Sequence, residues 1–190
     1  MLSIFDFLVF LTAIYALQYA RRRGIIDFLT LSGYALIALA ALIGTIRYAG
    51  YAELEGAHQL LSRMAAIIGV PAVALGFFYL ARKQFKVGWI IVSIVVLFGG
   101  AAVFWETNRY GLWVGIAAQC VWLVAALGYR PRSYRLIFRV VFAVALTSIA
   151  GLVFKGSGEW LGIANQNIFH GLLALSLAYQ GLAFRDISEK

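Results

Sequence analysis

Near its C-terminus the chain reads Asn165-Gln166-Asn167-Ile168-Phe169-His170. On a helix, positions three and four apart share a face, so Gln166, Asn167 and His170 would present amides and an imidazole together. Such a group can act as a general base, a hydrogen-bonding anchor or a metal ligand. His58 is the one other histidine. The charged side chains that could work with this pair are Asp6, Arg47, Glu55, Arg63, Glu106 and Arg109. Guanidinium groups match phosphate in a bidentate manner, so Arg47, Arg63 and Arg109 are candidate contacts for a phosphate-bearing or zwitterionic headgroup. A catalytic zinc would need three protein ligands and an open position, and His58, His170 and one of Asp6, Glu55 or Glu106 would have to supply them. No HxxxH or HExxH spacing supports that set, and no metal or other cofactor is expected. The sequence also lacks a phosphate-binding glycine loop, a nucleophile elbow and a lysine in its last apolar run that could carry a Schiff base. Cys120, beside Gln119 and Trp122, is expected to be a buried and inert thiol.

The elements that must position these groups follow from composition. With 63% apolar residues and a mean hydropathy of +0.88, the 190-residue chain has too little polar surface for an aqueous globule. Its net charge of +8 lies in short gaps between apolar runs, where anionic lipid headgroups rather than nucleic acid are the expected neighbours. A single cysteine excludes an internal disulfide. Counting roughly 20 residues per bilayer crossing yields seven spans, all helical. They are Leu2 to Ala20, Ile26 to Arg47, Gln59 to Ala81, Val87 to Trp105, Leu112 to Tyr129, Arg135 to Phe154 and Asn165 to Phe184. Alternate gaps hold Arg21 to Arg23, then Arg82, Lys83 and Lys86, then Arg130, Arg132, Arg135 and Arg139, then Arg185 and Lys190. Basic residues are retained on the cytoplasmic side during insertion, which predicts an outside N-terminus and a cytoplasmic C-terminus. The expected fold is therefore all-α, a single domain over residues 1–190, multi-pass in a bacterial inner membrane. Tyr19, Trp105, Tyr110, Trp113, Tyr129, Tyr134 and Trp160 are expected in the interfacial belts.

Depth then sorts the polar residues. At about 1.5 Å per residue, Asp6 lies about 22 Å beyond Arg21, within the outer leaflet. The same count brings Arg47, Arg63, Glu106, Arg109, Gln166, Asn167 and His170 to that level, with His58 about a turn and a half beyond Arg63, while the cytoplasmic halves read as almost purely apolar. Ionisable groups at such depth must pair or face a watery cavity, which makes the slab a candidate site. Asp6 has Arg47 and Arg63 as expected partners. Gln119, Thr147 and Ser148 read as interhelical hydrogen-bonding groups.

The run from Asn165 to His170, with Leu172 to Gly181 and the terminal Arg185-Asp186, resembles the last helix of an uncharacterised bacterial seven-helix family with an Asn-Asp-aromatic-His motif there. The segments Ala41 to Arg47 and Leu61-Ser62-Arg63 are similar to that family in order and spacing. More distantly, the arrangement is similar to the superfamily of alkaline ceramidases and progestin/adiponectin-type receptors, a resemblance that implies zinc-dependent lipid amidase chemistry. The chain departs from these patterns in having Gln166 in place of an acid, Arg47-Tyr48 without a histidine, and two histidines where that superfamily uses three. Two expectations result. The first is a non-enzymatic membrane protein whose outer-leaflet pocket binds a lipid headgroup or small amphiphile, or docks a membrane-protein partner or a second copy. The alternative is a metal-dependent lipid hydrolase using His170 and His58.

Overall fold

A computed structural model describes residues 2–21, 28–82, 110–129, 133–154 and 156–188. The expected fourth span, Val87 to Trp105, lies outside the described residues, as do Glu106 and Arg109. The described residues form six helices: α1 (Leu2–Arg21), α2 (Phe28–Tyr48), α3 (Ala52–Arg82), α4 (Tyr110–Leu127), α5 (Tyr134–Phe154) and α6 (Asn165–Ser188). Four stretches are long and apolar enough to cross a membrane: Ser3–Ala20, Phe28–Tyr48, Ala52–Arg82 and Tyr134–Phe154. On length and composition the chain is a helical membrane protein. Its outer surface agrees, because Ile4, Phe138 and Leu152 are each more than 60% exposed, an arrangement suited to lipid and not to water. α6 is not among the four, since it carries Asn165, Gln166, Asn167, His170, Ser176, Gln180, Arg185 and Asp186 along its length.

Each helix packs on its sequence neighbours and α1 closes on α6, so the six form a ring. α1, α3, α4 and α6 begin at one end, the near end, where α2 and α5 finish. Small residues bring the axes together. A Cβ added to Gly33 on α2 would lie 2.6 Å from the carbonyl oxygen of Gly69 on α3, so those backbones touch directly. Between α1 and α6, Gly181 meets Ala16 in the same way.

Local signals shape the ends. Ser133 caps α5 by accepting a bond of 3.3 Å from the Leu136 amide. α2 ends at Gly50, with φ of +128°, and the chain turns back at once into α3. Before α6, a hairpin pairs Glu159–Trp160 with Ile163–Ala164, and the Asn165 amide donates to the Gly158 carbonyl at 2.9 Å, fixing the helix start. α3 has a π-helical turn over Ala65–Gly69. Its cause lies just downstream: Pro71 has no amide hydrogen to close an α turn, and its ring crowds the carbonyl of Ile67. The wider turn takes up one extra residue, so His58 and Ser62 above it and Val70 and Val73 below it all border the interior.

Towards the far end the core is aromatic. Phe77 stacks on Trp122 at 3.9 Å between centroids, and Phe184 meets both edge-on at 5.2 and 5.6 Å. Two expectations are corrected by rotation about the helix axes. Cys120 is exposed on the outer face of α4, while its neighbours Gln119 and Trp122 point inward. Tyr129 is buried, its hydroxyl donating to the Ile187 carbonyl at 3.3 Å, and so takes no part in an interfacial belt, whereas Trp113, Tyr134 and Trp160 are exposed.

Candidate functional site

α1 and α6 meet through Asp6 and His170. Asp6 is 2% exposed, and its Oδ1 lies 3.5 Å from Nδ1 of His170. That separation is too long for a good hydrogen bond, and both His170 Nδ1 and Asp6 Oδ2 are buried without a hydrogen-bond partner. His58, on the first turns of α3, leans onto α2 with its Nδ1 3.2 Å from the Ala40 carbonyl. Gly44 makes this approach possible. A Cβ there would fall 2.7 Å from Cε1 of His58 and 3.1 Å from Cγ of Asp6, so both side chains rest against bare backbone.

Asp6, His58, Ser62 and His170 border one end of a cavity of about 170 Å³ between the helices. Its walls are apolar, with Val9, Ala41, Val73, Trp122, Phe169 and Leu177 among them. At its other end lie Gln119, Thr147 and Gln180. All six described helices contribute to the lining, and among the described residues no lysine or arginine is part of it. From His170 to Gln180 the rise along α6 is about 15 Å.

The remaining expected site residues lie elsewhere. Arg47 forms an ion pair with Glu55, donates to the Tyr48 hydroxyl at 2.9 Å and stacks over its ring. The tight turn at Gly50 explains this: it returns the first residues of α3 to the last turn of α2. Glu55 also accepts from Gln59. Arg63 is exposed. Neither Arg47 nor Arg63 is within ion-pair distance of Asp6, whose ionisable neighbour at 3.5 Å is His170. Gln166 is exposed and donates to the Tyr48 hydroxyl at 3.0 Å, tying α6 to α2. Asn167 is 6% exposed with its Oδ1 unpartnered, but it is not part of the cavity wall. Among the described residues, no three His, Cys, Asp or Glu side chains are grouped closely enough to hold a metal ion. His58, His170 and either Asp6 or Glu55 therefore do not fit a zinc site, and Glu106 lies outside the described residues.

The structure also gives Thr147, expected as an interhelical hydrogen-bonding group, partners that depth counting passed over. Below the cavity, Tyr34 donates to Gln180 Oε1 at 3.2 Å, Gln180 Nε2 donates to Ser176 at 3.3 Å, and Ser176 and Thr147 share a bond of 2.6 Å. Tyr34 and Ser176 are fully buried. At the far end Arg139 donates to Asp186 Oδ1 at 2.6 Å and to the Leu182 carbonyl at 3.0 Å, linking α5 to α6. The spacing of Ser176 and Gln180, one turn apart on α6, was the available signal for the first set.

No protein-family model, curated protein or solved structure matches the chain. The likeness to seven-helix families therefore carries no weight in assigning a function, which rests on the geometry alone.

Proposed function

We propose that this is a seven-span protein of a bacterial inner membrane, with its N-terminus outside, that binds a small amphiphile in the cavity between its helices. The observation that carries the reading is the cavity itself, an apolar chamber with Asp6, His58 and His170 collected at one end. Sites for small molecules have this composition, mostly apolar walls with a few converging polar groups. The alternation of basic gaps supports the orientation, which would put this polar end in the outer leaflet. A pocket of about 170 Å³ between the helices suits a small ligand better than a partner helix. Of the arginines expected to grip a phosphate headgroup, Arg47 is paired with Glu55 and Arg63 is exposed, and neither borders the chamber, while Arg109 lies outside the described residues; the described residues thus give a phosphate-bearing group no support there.

Native mass spectrometry of the protein extracted in mild detergent tests the proposal. It should retain one small amphiphile per chain, and Ala41→Phe, which fills the wall, should remove it while preserving the helical fold. Equal retention by that variant, or none by the parent chain, would overturn the reading. A second reading, lipid hydrolysis, has one observation in its favour. Asp6 beside His170, in the same wall as Ser62, is a carboxylate–imidazole arrangement of the kind general bases use. Turnover of a neutral lipid ester or amide, abolished in His170→Ala, would favour it.

A further inference from the structure

The chemistry of the polar end narrows the ligand class, resting on the reading of the cavity as a binding chamber. Asp6 Oδ2 and His170 Nδ1 are both buried and both lack a hydrogen-bond partner, although their side chains lie side by side on the cavity wall. A carboxylate that is 2% exposed, in a membrane interior, is costly unless a cation or several donors reach it. Among the described residues that help is missing from the cavity wall: Arg47 is held by Glu55, and no described lysine or arginine borders the chamber. Anionic ligands would meet the Asp6 carboxylate with nothing to offset it.

An ammonium group supplies what is lacking. It brings a positive charge and several N–H donors in a compact form, so a small rotation of the two side chains toward the cavity lets one donor meet Asp6 Oδ2 and another His170 Nδ1, the imidazole accepting in its neutral form. Phe169, also on the wall, adds an aromatic face that favours a cation. Volume limits the rest of the molecule. An engineered apolar cavity of about 150 Å³ holds benzene, and a chamber of about 170 Å³ is similar in size. We infer that the chamber takes a small apolar amine, an ammonium group on a body about the size of one aromatic ring, with the charge seated between Asp6 and His170.

Four probes of one size and differing head separate the possibilities: benzylamine, benzyl alcohol, benzoate and toluene. Each is titrated calorimetrically into the detergent-solubilised protein, with Ala41→Phe as the baseline for uptake by the micelle. Benzylamine should bind about tenfold or more tightly than benzyl alcohol or toluene, a difference of about 1.4 kcal/mol, and benzoate should not bind. Asp6→Asn should remove the preference for the amine and keep the binding of benzyl alcohol and toluene. Equal affinity for amine and alcohol, or a preference for benzoate, overturns the inference and leaves the chamber as a binding site. No probe bound above the Ala41→Phe baseline overturns the chamber reading as well. The ranking in the parent chain decides the matter even if Asp6→Asn does not fold.

Discussion

Arg139 and Asp186, near the far end of the bundle, form a charge-assisted hydrogen bond of 2.6 Å, and the same guanidinium nitrogen also donates to a backbone carbonyl. Asp6 and His170, near the other end, lie 3.5 Å apart with no hydrogen bond between them and a cavity beside them. Both carboxylates are buried to a similar degree, 7% and 2% exposed. Burial alone therefore does not distinguish a structural charge from a functional one; the state of its partners does. The far-end pair locks α5 to α6 and leaves only Oδ2 of Asp186 unpartnered. At the near end, Asp6 Oδ2, His170 Nδ1 and Asn167 Oδ1 are all left without partners, a concentration of unmet hydrogen-bonding capacity expected of a site and not of a packed core.

That contrast can be broken most forcefully at the far end. Arg139→Ala should lower the unfolding free energy in detergent by about 3 kcal/mol, because it strands a buried carboxylate. Adding Asp186→Leu should return most of the loss, which a double-mutant cycle measures. Additive losses would mean that the two side chains do not act as a pair. Gly44→Ala comes next. Its new methyl group has no room beside His58 and Asp6, so overpacking should cost about 1–3 kcal/mol and disturb the chamber. Unchanged stability there would show that the two side chains do not rest on α2. Thr147→Val sharpens the comparison in the middle of the bundle. It removes the bond to Ser176 and should cost about 0.6 kcal/mol, the usual scale for polar contacts between membrane helices.

Much of the frame was legible from the spacing of apolar runs, because helix length in a bilayer is set by thickness. Depth counting from Arg21 also brought Asp6 to the outer leaflet near His170, since rise per residue is constant along a helix, but the count from Arg82 set His58 about a turn and a half beyond the boundary, whereas it meets Asp6 at Gly44. Partner choice was not legible. Arg47 pairs with Glu55 because of the turn at Gly50, a local feature that outcompetes the more distant Asp6. Rotation was equally hidden on α4, where apolar residues surround the helix and nothing in the pattern marks an inner face. Gln119 inside and Cys120 outside result from packing against α3 and α5. Arg139 and Asp186 looked like loop charges, and only the joining of two helices 47 positions apart in sequence makes them a pair.

One pair of measurements bears most directly on the contrast between the ends: the unfolding free energies of Asp6→Asn and Asp186→Asn, each nearly isosteric. Asp186→Asn loses the charge that its hydrogen bond to Arg139 depends on and should cost about 1–3 kcal/mol. Asp6→Asn removes a carboxylate whose Oδ2 has no hydrogen-bond partner, so stability should stay level or rise by up to about 1 kcal/mol, as happens when a site strained for function is relaxed. Equal losses from both substitutions would contradict the account, showing that Asp6 serves the fold in the same way as Asp186.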